Sequence, residues 1–235
     1  MFFRQLFDYD TWTYTYLIAD PETQAAALVD PVIEKVNRDL QLLGELGLTL
    51  KLCLETHVHA DHITGTGQLR ERTGCEGIVP ANAQVGCASR EIQDGEIVRL
   101  GSVPIKAIAT PGHTDSHMAY WVNNTHLLTG DALLIRGCGR TDFQSGDAGT
   151  LFDVVTQNLF TLPDDILVYP GHDYRGQSVS TIGEEKAWNP RFVGQDRKSF
   201  IAFMKDLNLP NPKRIMEAVS ANQLCGNVPA GQLKV

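Results

Sequence analysis

The stretch Thr56-His57-Val58-His59-Ala60-Asp61-His62 follows the apolar run 48–54 directly and places three imidazoles and a carboxylate within six positions. Polar groups of this kind are costly to bury unless they find partners. If the apolar run is a strand, His57 and His59 point to one side of the extended chain, because side chains alternate along it. Asp61 and His62 then open a helix through 68–70. The stretch therefore predicts a metal site at a strand end.

Three further apolar runs, which we expect to be strands, each end in a residue type that binds metals: His113, Asp131 and His172. Ligands on adjacent strand ends can converge on one point. For any one of the three, a turn residue or a solvent-facing side chain is the competing interpretation. Together with the first stretch, however, the set contains five of the seven histidines in the chain. The pattern as a whole favours one shared metal centre.

The remaining sequence alternates strand and helix signals. β-Branched and aromatic runs at 13–18 and 25–30 predict a hairpin, and apolar residues at helical intervals predict a helix over 32–46 that ends at Gly47. A later helix is expected to begin at Thr150, which is a suitable N-cap. Further strands are expected at 77–81, 96–100, 103–109, 118–122, 126–131 and 166–171.

Composition indicates one large soluble domain. A chain of 235 residues with 43% apolar content can bury a full core. No uncharged apolar run reaches membrane-spanning length, and the first residues lack the pattern of a secretory signal, so we expect a cytoplasmic protein without a membrane partner. The net charge of −8 and the absence of Lys and Arg clusters argue against a nucleic-acid partner.

The five cysteines are odd in number and show no C-x-x-C spacing. This usage predicts reduced thiols rather than a disulfide framework. At most one of them is expected to be functional. They are Cys53, Cys75, Cys87, Cys138 and Cys225.

The order of the motifs resembles that of the metallo-β-lactamase superfamily. The resemblance rests on 57–62, Pro111-Gly112-His113, Gly130-Asp131 and Gly171-His172. It implies an α/β fold, an αββα sandwich of two mixed sheets flanked by helices, with the metal site at one sheet edge. A single domain would span 1–235, with a short C-terminal extension.

Longer strings resemble the glyoxalase II-like persulfide dioxygenases of that superfamily over nearly the whole chain. The strings are 129–144, His172-Asp173-Tyr174, Glu184-Glu185-Lys186, Asn189-Pro190-Arg191, and Ala221-Asn222 with Cys225-Gly226. The implied reaction is oxidation of glutathione persulfide by O₂ and water to sulfite and glutathione. The resemblance also implies one Fe(II) per chain, with His57, His113 and Asp131 as metal ligands and catalytic residues. Two histidines and one carboxylate leave three positions open for a substrate sulfur and dioxygen.

The resemblance assigns roles to two further groups of residues. His59, Asp61, His62 and His172 complete a two-metal site in related hydrolases, whereas in the dioxygenases they orient the ligands or hold water. Arg140, Tyr174, Arg191 and Cys225 match family positions near the substrate. Glutathione carries two carboxylates, and a guanidinium can bond both oxygens of one. The competing interpretations are a solvated surface role for each arginine and a buried apolar filler for Cys225.

Two other functions remain open at this stage. The first is a glyoxalase II-like thioester hydrolase with a two-metal site, although only about sixty residues follow His172 and the helical glutathione-binding region of those hydrolases is larger. The second is a non-catalytic metal-binding or persulfide-sensing module, for which closed coordination would be preferred. The sequence also leaves a homodimer open.

Overall fold

The structure, a computed structural model, describes residues 1–207, 209–210 and 214–227. The end of the predicted C-terminal extension lies outside these residues. The described chain forms two compact units. Among the described residues, the first contains 1–92, 100–103, 210 and 214–227, and the second contains 93–99, 104–207 and 209. Where the structure describes the chain, none of its helices is both long and apolar enough to cross a bilayer.

The first sheet has six strands in sequence order. It joins an antiparallel half, β1 to β3, to a parallel half, β3 to β6. Parallel neighbours need a crossover connection, which helices α1 and α2 provide on either side of β4. The strands are β1 (Phe2–Asp8), β2 (Thr13–Ala19), β3 (Ala25–Val29), β4 (Thr49–Leu54), β5 (Glu76–Pro80) and β6 (Arg90–Ile92). The helices are α1 (Val36–Glu45) and α2 (Thr66–Thr73).

The second sheet has the order β12-β11-β10-β9-β8-β7. Strands β10 and β11 run parallel, connected through α3, so their carboxyl ends lie side by side. The strands are β7 (Ile97–Leu100), β8 (Val103–Ala109), β9 (Met118–Val122), β10 (His126–Gly130), β11 (Leu167–Pro170) and β12 (Ser180–Thr181). The later helices are α3 (Ala148–Gln157), α4 (Ile182–Trp188), α5 (Arg197–Lys205) and α6 (Ile215–Asn222).

Each unit buries its own apolar cluster. In the first, Leu17 and Leu28 of the sheet pack with Val36 and Leu43 of α1. In the second, α3 and α5 pack with strands β9 to β11, and Phe200 is fully buried there. Burying one such side chain contributes about 1.5–3 kcal/mol. These clusters hold the strand ends on which the metal-ligand residue types sit.

The strand predictions are confirmed to within a residue or two, as is the end of the first helix at Gly47, which has φ +65°. The predicted helix start at Asp61 is wrong, because α2 begins at Thr66. The carbonyl of His62, which would accept the Thr66 amide in a helix, accepts from Asn222 instead, and the Thr66 amide donates to the Thr64 hydroxyl. Residues 61–65 therefore form a loop rather than the first turn of a helix.

Two further details differ from the predictions. Helix α3 begins after Asp147, whose carboxylate accepts from the Thr150 amide at 2.6 Å, so Asp147 rather than Thr150 is the N-cap. Strand β1, the short strands β6 and β12 and helices α4 to α6 were not predicted. All seven residues of β1, Phe2–Asp8, pair with β2 at Thr13–Ala19.

Candidate metal centre

The loop after β4 holds three buried histidines in close succession. Ring centroids are 4.1 Å apart for His57 and His59 and 4.2 Å apart for His59 and His62. The exposed fraction of each residue is 3% or less. The loop is fixed by Asn222 of α6, whose side-chain nitrogen donates to the carbonyls of His59 and His62, both at 2.8 Å. Its side-chain oxygen accepts from the Thr64 amide at 2.8 Å, so all three polar positions of the amide group are used.

A carboxylate directly after β3 determines the tautomer of His57. Asp30 lies beside Thr56 because β3 and β4 are parallel neighbours, and it accepts the Thr56 hydroxyl at 2.8 Å and the Thr56 amide at 2.7 Å. Because the Thr56 hydroxyl donates its hydrogen to Asp30, its oxygen must accept from Nδ1 of His57, which lies 2.9 Å away. In the neutral ring Nε2 then carries the lone pair. A ligand histidine needs this tautomer.

His59 is held differently. Its Nε2 lies 3.1 Å from Oδ1 of Asp30 and 3.4 Å from Oε2 of Glu55, and all three side chains are buried. Burial disfavours the charged ring, but the carboxylates of Asp30 and Glu55 outweigh it and hold the pKa of His59 well above its usual value. The two carboxylates therefore favour the charged form of the His59 ring.

The carboxylate of Asp61 fixes the tautomer of His62. Its Oδ2 accepts from Nδ1 of His62 at 2.8 Å and from the Thr13 hydroxyl at 3.1 Å. Because that carboxylate fixes the hydrogen on Nδ1, the neutral ring carries its lone pair on Nε2. This Nε2 is buried and has no hydrogen-bond partner among the described residues. His62 thus keeps one bare nitrogen in the interior of the first unit.

In the second unit, parallel pairing of β10 and β11 brings Asp131 and His172 together. Gly130 is paired with Pro170, and the Gly171 amide donates to the Gly130 carbonyl at 2.8 Å. Nε2 of His172 lies 3.7 Å from Oδ1 of Asp131. Asp131 and His172 thus lie at neighbouring strand ends; their roles at a metal stay a prediction.

His113 lies at the other side of the same carboxylate. Its Nδ1 is 2.7 Å from the Arg140 carbonyl, and a carbonyl can only accept, so Nδ1 carries the hydrogen. Nε2 of the neutral ring then carries the lone pair, and it lies 3.5 Å from Oδ2 of Asp131. The Gly139 amide, one residue before Arg140, donates to the Asp131 carbonyl at 2.7 Å. One loop, 131–140, therefore orients both side chains.

This arrangement fits a divalent metal ion. Nε2 of His113 and Oδ2 of Asp131 lie 3.5 Å apart, which is close enough for both to bind one cation. Oδ1 of Asp131 is buried and lacks a hydrogen-bond donor among the described residues, which is costly without a counter-charge. Imidazole and carboxylate donors suit iron, zinc and related ions. In the first unit, the hydrogen bond at Nδ1 of His57 selects the same tautomer.

Of the predicted substrate-binding residues, Arg140 is already paired. Its Nε and Nη2 bond the carboxylate of Asp142 at 2.6 and 2.7 Å, and its guanidinium carbon lies 4.1 Å from the Phe143 ring centroid. A substrate carboxylate would have to share or displace this partner. The backbone carbonyl of Arg140 contributes separately, through His113.

Tyr174 and Arg191 are more available. Tyr174 is 62% exposed, and its ring stacks on His172 with 6.0 Å between centroids. Arg191 stacks over Phe203 at 4.6 Å, and no described carboxylate lies within ion-pair distance of it. A guanidinium that stacks on an aromatic ring can still donate two hydrogen bonds to one carboxylate. Their contact with substrate stays a prediction.

The prediction that all five cysteines are reduced is wrong. Cys87 and Cys225 form a disulfide, with their Cα atoms 6.1 Å apart although 138 positions separate them in sequence. Such a pairing has no local spacing signature, since it depends on the fold bringing α6 against the loop after β5. Cys225 lines a pocket in the first unit together with His57 and His59, but as a disulfide rather than a thiol. Cys53, Cys75 and Cys138 are free.

The sequence interpretation missed several residues that position the ligand side chains. Asp30, Glu55 and Thr56 surround the histidine loop, and Asn222 fixes it. Asp30 and Glu55 had one usable signal, because each directly follows a predicted strand at the edge where His57 lies. Asn222 had none beyond the family string that contains it.

Comparison with known proteins agrees with this geometry. The model of the metallo-beta-lactamase superfamily matches residues 12–85 and 88–172. The mitochondrial persulfide dioxygenase ETHE1 of Mus musculus is 48% identical over 227 residues, covering 95% of this chain and 88% of that protein. The crystal structure of ETHE1 from Myxococcus xanthus superposes with a TM-score of 0.94 at 53% identity, covering 97% of this chain and 100% of that one. A hydroxyacylglutathione hydrolase of Methylobacterium sp. is 37% identical over 161 residues, covering 67% of this chain and 61% of that protein.

Proposed function

The chain belongs to the metallo-beta-lactamase superfamily and, within it, to the persulfide dioxygenases, and on that premise we propose that it oxidises glutathione persulfide to sulfite and glutathione. The reaction is balanced by one O₂ and one water. The terminal sulfur gains three oxygen atoms, the sulfur–sulfur bond breaks, and glutathione leaves as the thiol with release of two protons.

We further propose that one Fe(II) ion per chain is held by His57, His113 and Asp131. Two imidazoles and a carboxylate are the facial set of non-haem iron oxygenases, which leaves positions open. When bound, such an ion supplies a redox centre at which a persulfide sulfur and dioxygen can react.

The observation that carries this proposal is the contrast between His59 and the two proposed ligand histidines. His57 and His113 each have Nδ1 against an oxygen, the Thr56 hydroxyl and the Arg140 carbonyl, which makes Nε2 the ligand nitrogen of the neutral ring. Nε2 of His59 instead lies beside the carboxylates of Asp30 and Glu55, at 3.1 and 3.4 Å. A two-metal hydrolase site would use His59 as well, so the two carboxylates beside its ring support the smaller set of ligands.

Residues of the second unit suit the handling of an anionic thiol substrate. Arg191 offers a guanidinium for a glutathione carboxylate, at a position stabilised by Phe203. Burial raises the pKa of the neighbouring Cys138 to about 12, against the opposing charge of Arg191. Cys138 therefore stays a neutral thiol, so it does not attack the persulfide in competition with oxygenation.

A glyoxalase II-like thioester hydrolase is the second candidate. The bare, buried Nε2 of His62 and the position of His172 beside Asp131 favour it, since both could serve a second ion. The hydroxyacylglutathione hydrolase of Methylobacterium sp., however, matches over 67% of this chain, against 95% for the mouse dioxygenase. A non-catalytic sensing module receives no support from these relatives.

Oxygen uptake tests the proposal. Protein purified without oxygen should consume O₂ only when glutathione persulfide is added, and should release one sulfite per O₂. Cleavage of S-lactoylglutathione without oxygen, in the absence of persulfide-dependent uptake, would favour the hydrolase. A cytoplasmic location, the lack of a nucleic-acid partner and a homodimer stay predictions from the sequence.

A further inference from the structure

The Cys87–Cys225 disulfide lies at the wall of a surface groove in the first unit, and none of the histidines of the metal loop lines this groove. The groove is lined by Gly67, Arg70, Glu71 and Ser89 together with both cysteines and Cys75. Cys225 is buried, with 4% of its surface exposed, whereas Cys87 is half-buried. A small molecule in the groove therefore has better access to the sulfur of Cys87.

Arg70 of α2 is the cation at this disulfide. Its Nη1 donates to the Cys87 carbonyl at 2.5 Å and lies 3.9 Å from the Cys225 sulfur. A guanidinium beside a sulfur stabilises the thiolate and so lowers the pKa of the leaving thiol. In thiol–disulfide exchange a more acidic leaving thiol departs faster. Attack on Cys87 with departure of Cys225 is therefore the favoured direction.

We propose that Cys87 is a thiol-exchange site for glutathione and similar low-molecular-weight thiols. The attacking thiolate forms a bond to the Cys87 sulfur, the Cys87–Cys225 bond breaks, and its electron pair leaves with Cys225 as a thiolate beside Arg70. A second thiolate can then attack the mixed disulfide, which releases the oxidised thiol dimer and Cys87 as a thiolate. Two thiols are oxidised and one protein disulfide is reduced.

Backbone contacts show that this exchange is local. The Gly67 amide donates to the Cys225 carbonyl at 3.0 Å, and the Gly226 amide donates to the Ala221 carbonyl at 2.8 Å. These bonds hold the turn after α6 without the disulfide. The loop that carries Cys87 is likewise held by the Ser89 amide, which donates to the Gly77 carbonyl at 2.8 Å, so opening the disulfide leaves both backbone segments in place.

The inference rests on the proposed function for the source of the thiol alone, since glutathione is the product released by persulfide oxidation. The chemistry at Cys87 requires neither persulfide nor dioxygen. It is tested with reduced glutathione as the only added reagent. Failure of the proposed function would leave that test unaffected.

The experiment incubates the full chain with about one equivalent of reduced glutathione under nitrogen, blocks free thiols with N-ethylmaleimide and maps the peptides by mass spectrometry. We expect a glutathione adduct on Cys87 and new alkylation on Cys225. Arg70→Gln should slow adduct formation by about threefold or more, because a leaving thiol one pKa unit less acidic departs more slowly, and Arg70→Lys should fall between the two. Peptide mapping of the unaltered protein identifies the site even if the Arg70 variants fail to fold.

Cys75 supplies the control. It lines the same groove, and the contact with the Cys53 sulfur lowers its pKa to about 7. Cys75→Ser should form the adduct at the rate of the unaltered protein, whereas Cys87→Ser should form none. An adduct on Cys75 or Cys225, no adduct at all, or a rate that does not depend on Arg70 would overturn the proposal.

Discussion

Replacing Asn222 with Ala should loosen the histidine loop more than any other single change at α6. The buried side chain makes three hydrogen bonds of 2.8 Å, to the carbonyls of His59 and His62 and from the amide of Thr64. A buried hydrogen bond contributes about 1 kcal/mol net. Loss of three therefore costs about 3 kcal/mol, and more where the freed backbone groups stay dry.

In a chain of this size, 1 kcal/mol shifts Tm by about 2–4 °C. Asn222→Ala should therefore lower Tm by about 6–12 °C in calorimetry of the metal-free protein. Metal affinity should fall as well, because His57 belongs to the same loop. Asn222→Asp should not rescue it, since a carboxylate oxygen cannot donate to the two carbonyls.

Gln223→Ala is the matched control, because Gln223 follows directly on α6 and its side chain is exposed. It should change the free energy of unfolding by no more than about 0.5 kcal/mol. A Tm loss in Asn222→Ala no larger than in Gln223→Ala would show that the three hydrogen bonds do not hold the loop.

Three further predictions concern the metal and the substrate. Asp131→Ala should remove most of the iron, measured by elemental analysis after anaerobic purification, whereas His62→Ala should retain it; equal losses would indicate a two-metal site. Arg191→Ala should raise KM with unchanged iron content, and lysine should rescue it only in part because it lacks the bidentate fork; an unchanged KM would leave Arg191 outside the substrate site. Thr56→Val removes the acceptor for Nδ1 of His57 and should weaken iron affinity by about 10–100-fold, with Thr56→Ser close to the unaltered protein. Equal iron affinities in the valine and serine variants would show that this hydrogen bond does not orient the ring.

The strand ends were predictable because their signal is local. Each apolar run is short and ends in a ligand type, so β4, β8, β10 and β11 could be located within a residue or two. The neighbourhood of Asp131 and His172 followed from the expectation that adjacent strand ends converge, and the parallel pairing of β10 with β11 provides it. The periodicity of apolar residues and the residues typical of turns are both visible within a window of about ten residues, and they are enough to locate a strand.

The positioning contacts were not predictable because they join distant segments. Asn222 bonds a carbonyl 160 positions earlier in the chain, and the Cys87–Cys225 bond spans 138 positions. Neither pair has a spacing rule. The start of α2 was misplaced for the same reason, because the carbonyl that a helix at Asp61 would need is taken by α6.

The contact of His59 with Asp30 and Glu55 was predictable only in part. Asp30 and Glu55 each follow a strand that the sequence identifies, so their proximity to the histidine loop could have been inferred from parallel pairing. The contacts themselves, in which Nε2 of His59 lies 3.1 Å from Asp30 and 3.4 Å from Glu55, are known only from the structure.

Metal reconstitution tests the central claim most directly. Metal-free protein should be loaded in parallel with Fe(II) and with Zn(II), and both forms assayed for oxygen uptake with glutathione persulfide and for anaerobic cleavage of S-lactoylglutathione. The iron form should consume O₂ and release sulfite in equal amounts, and the zinc form should consume none, because zinc has no second oxidation state with which to activate dioxygen. Brisk thioester cleavage by the zinc form, together with no persulfide-dependent oxygen uptake by the iron form, would contradict the account.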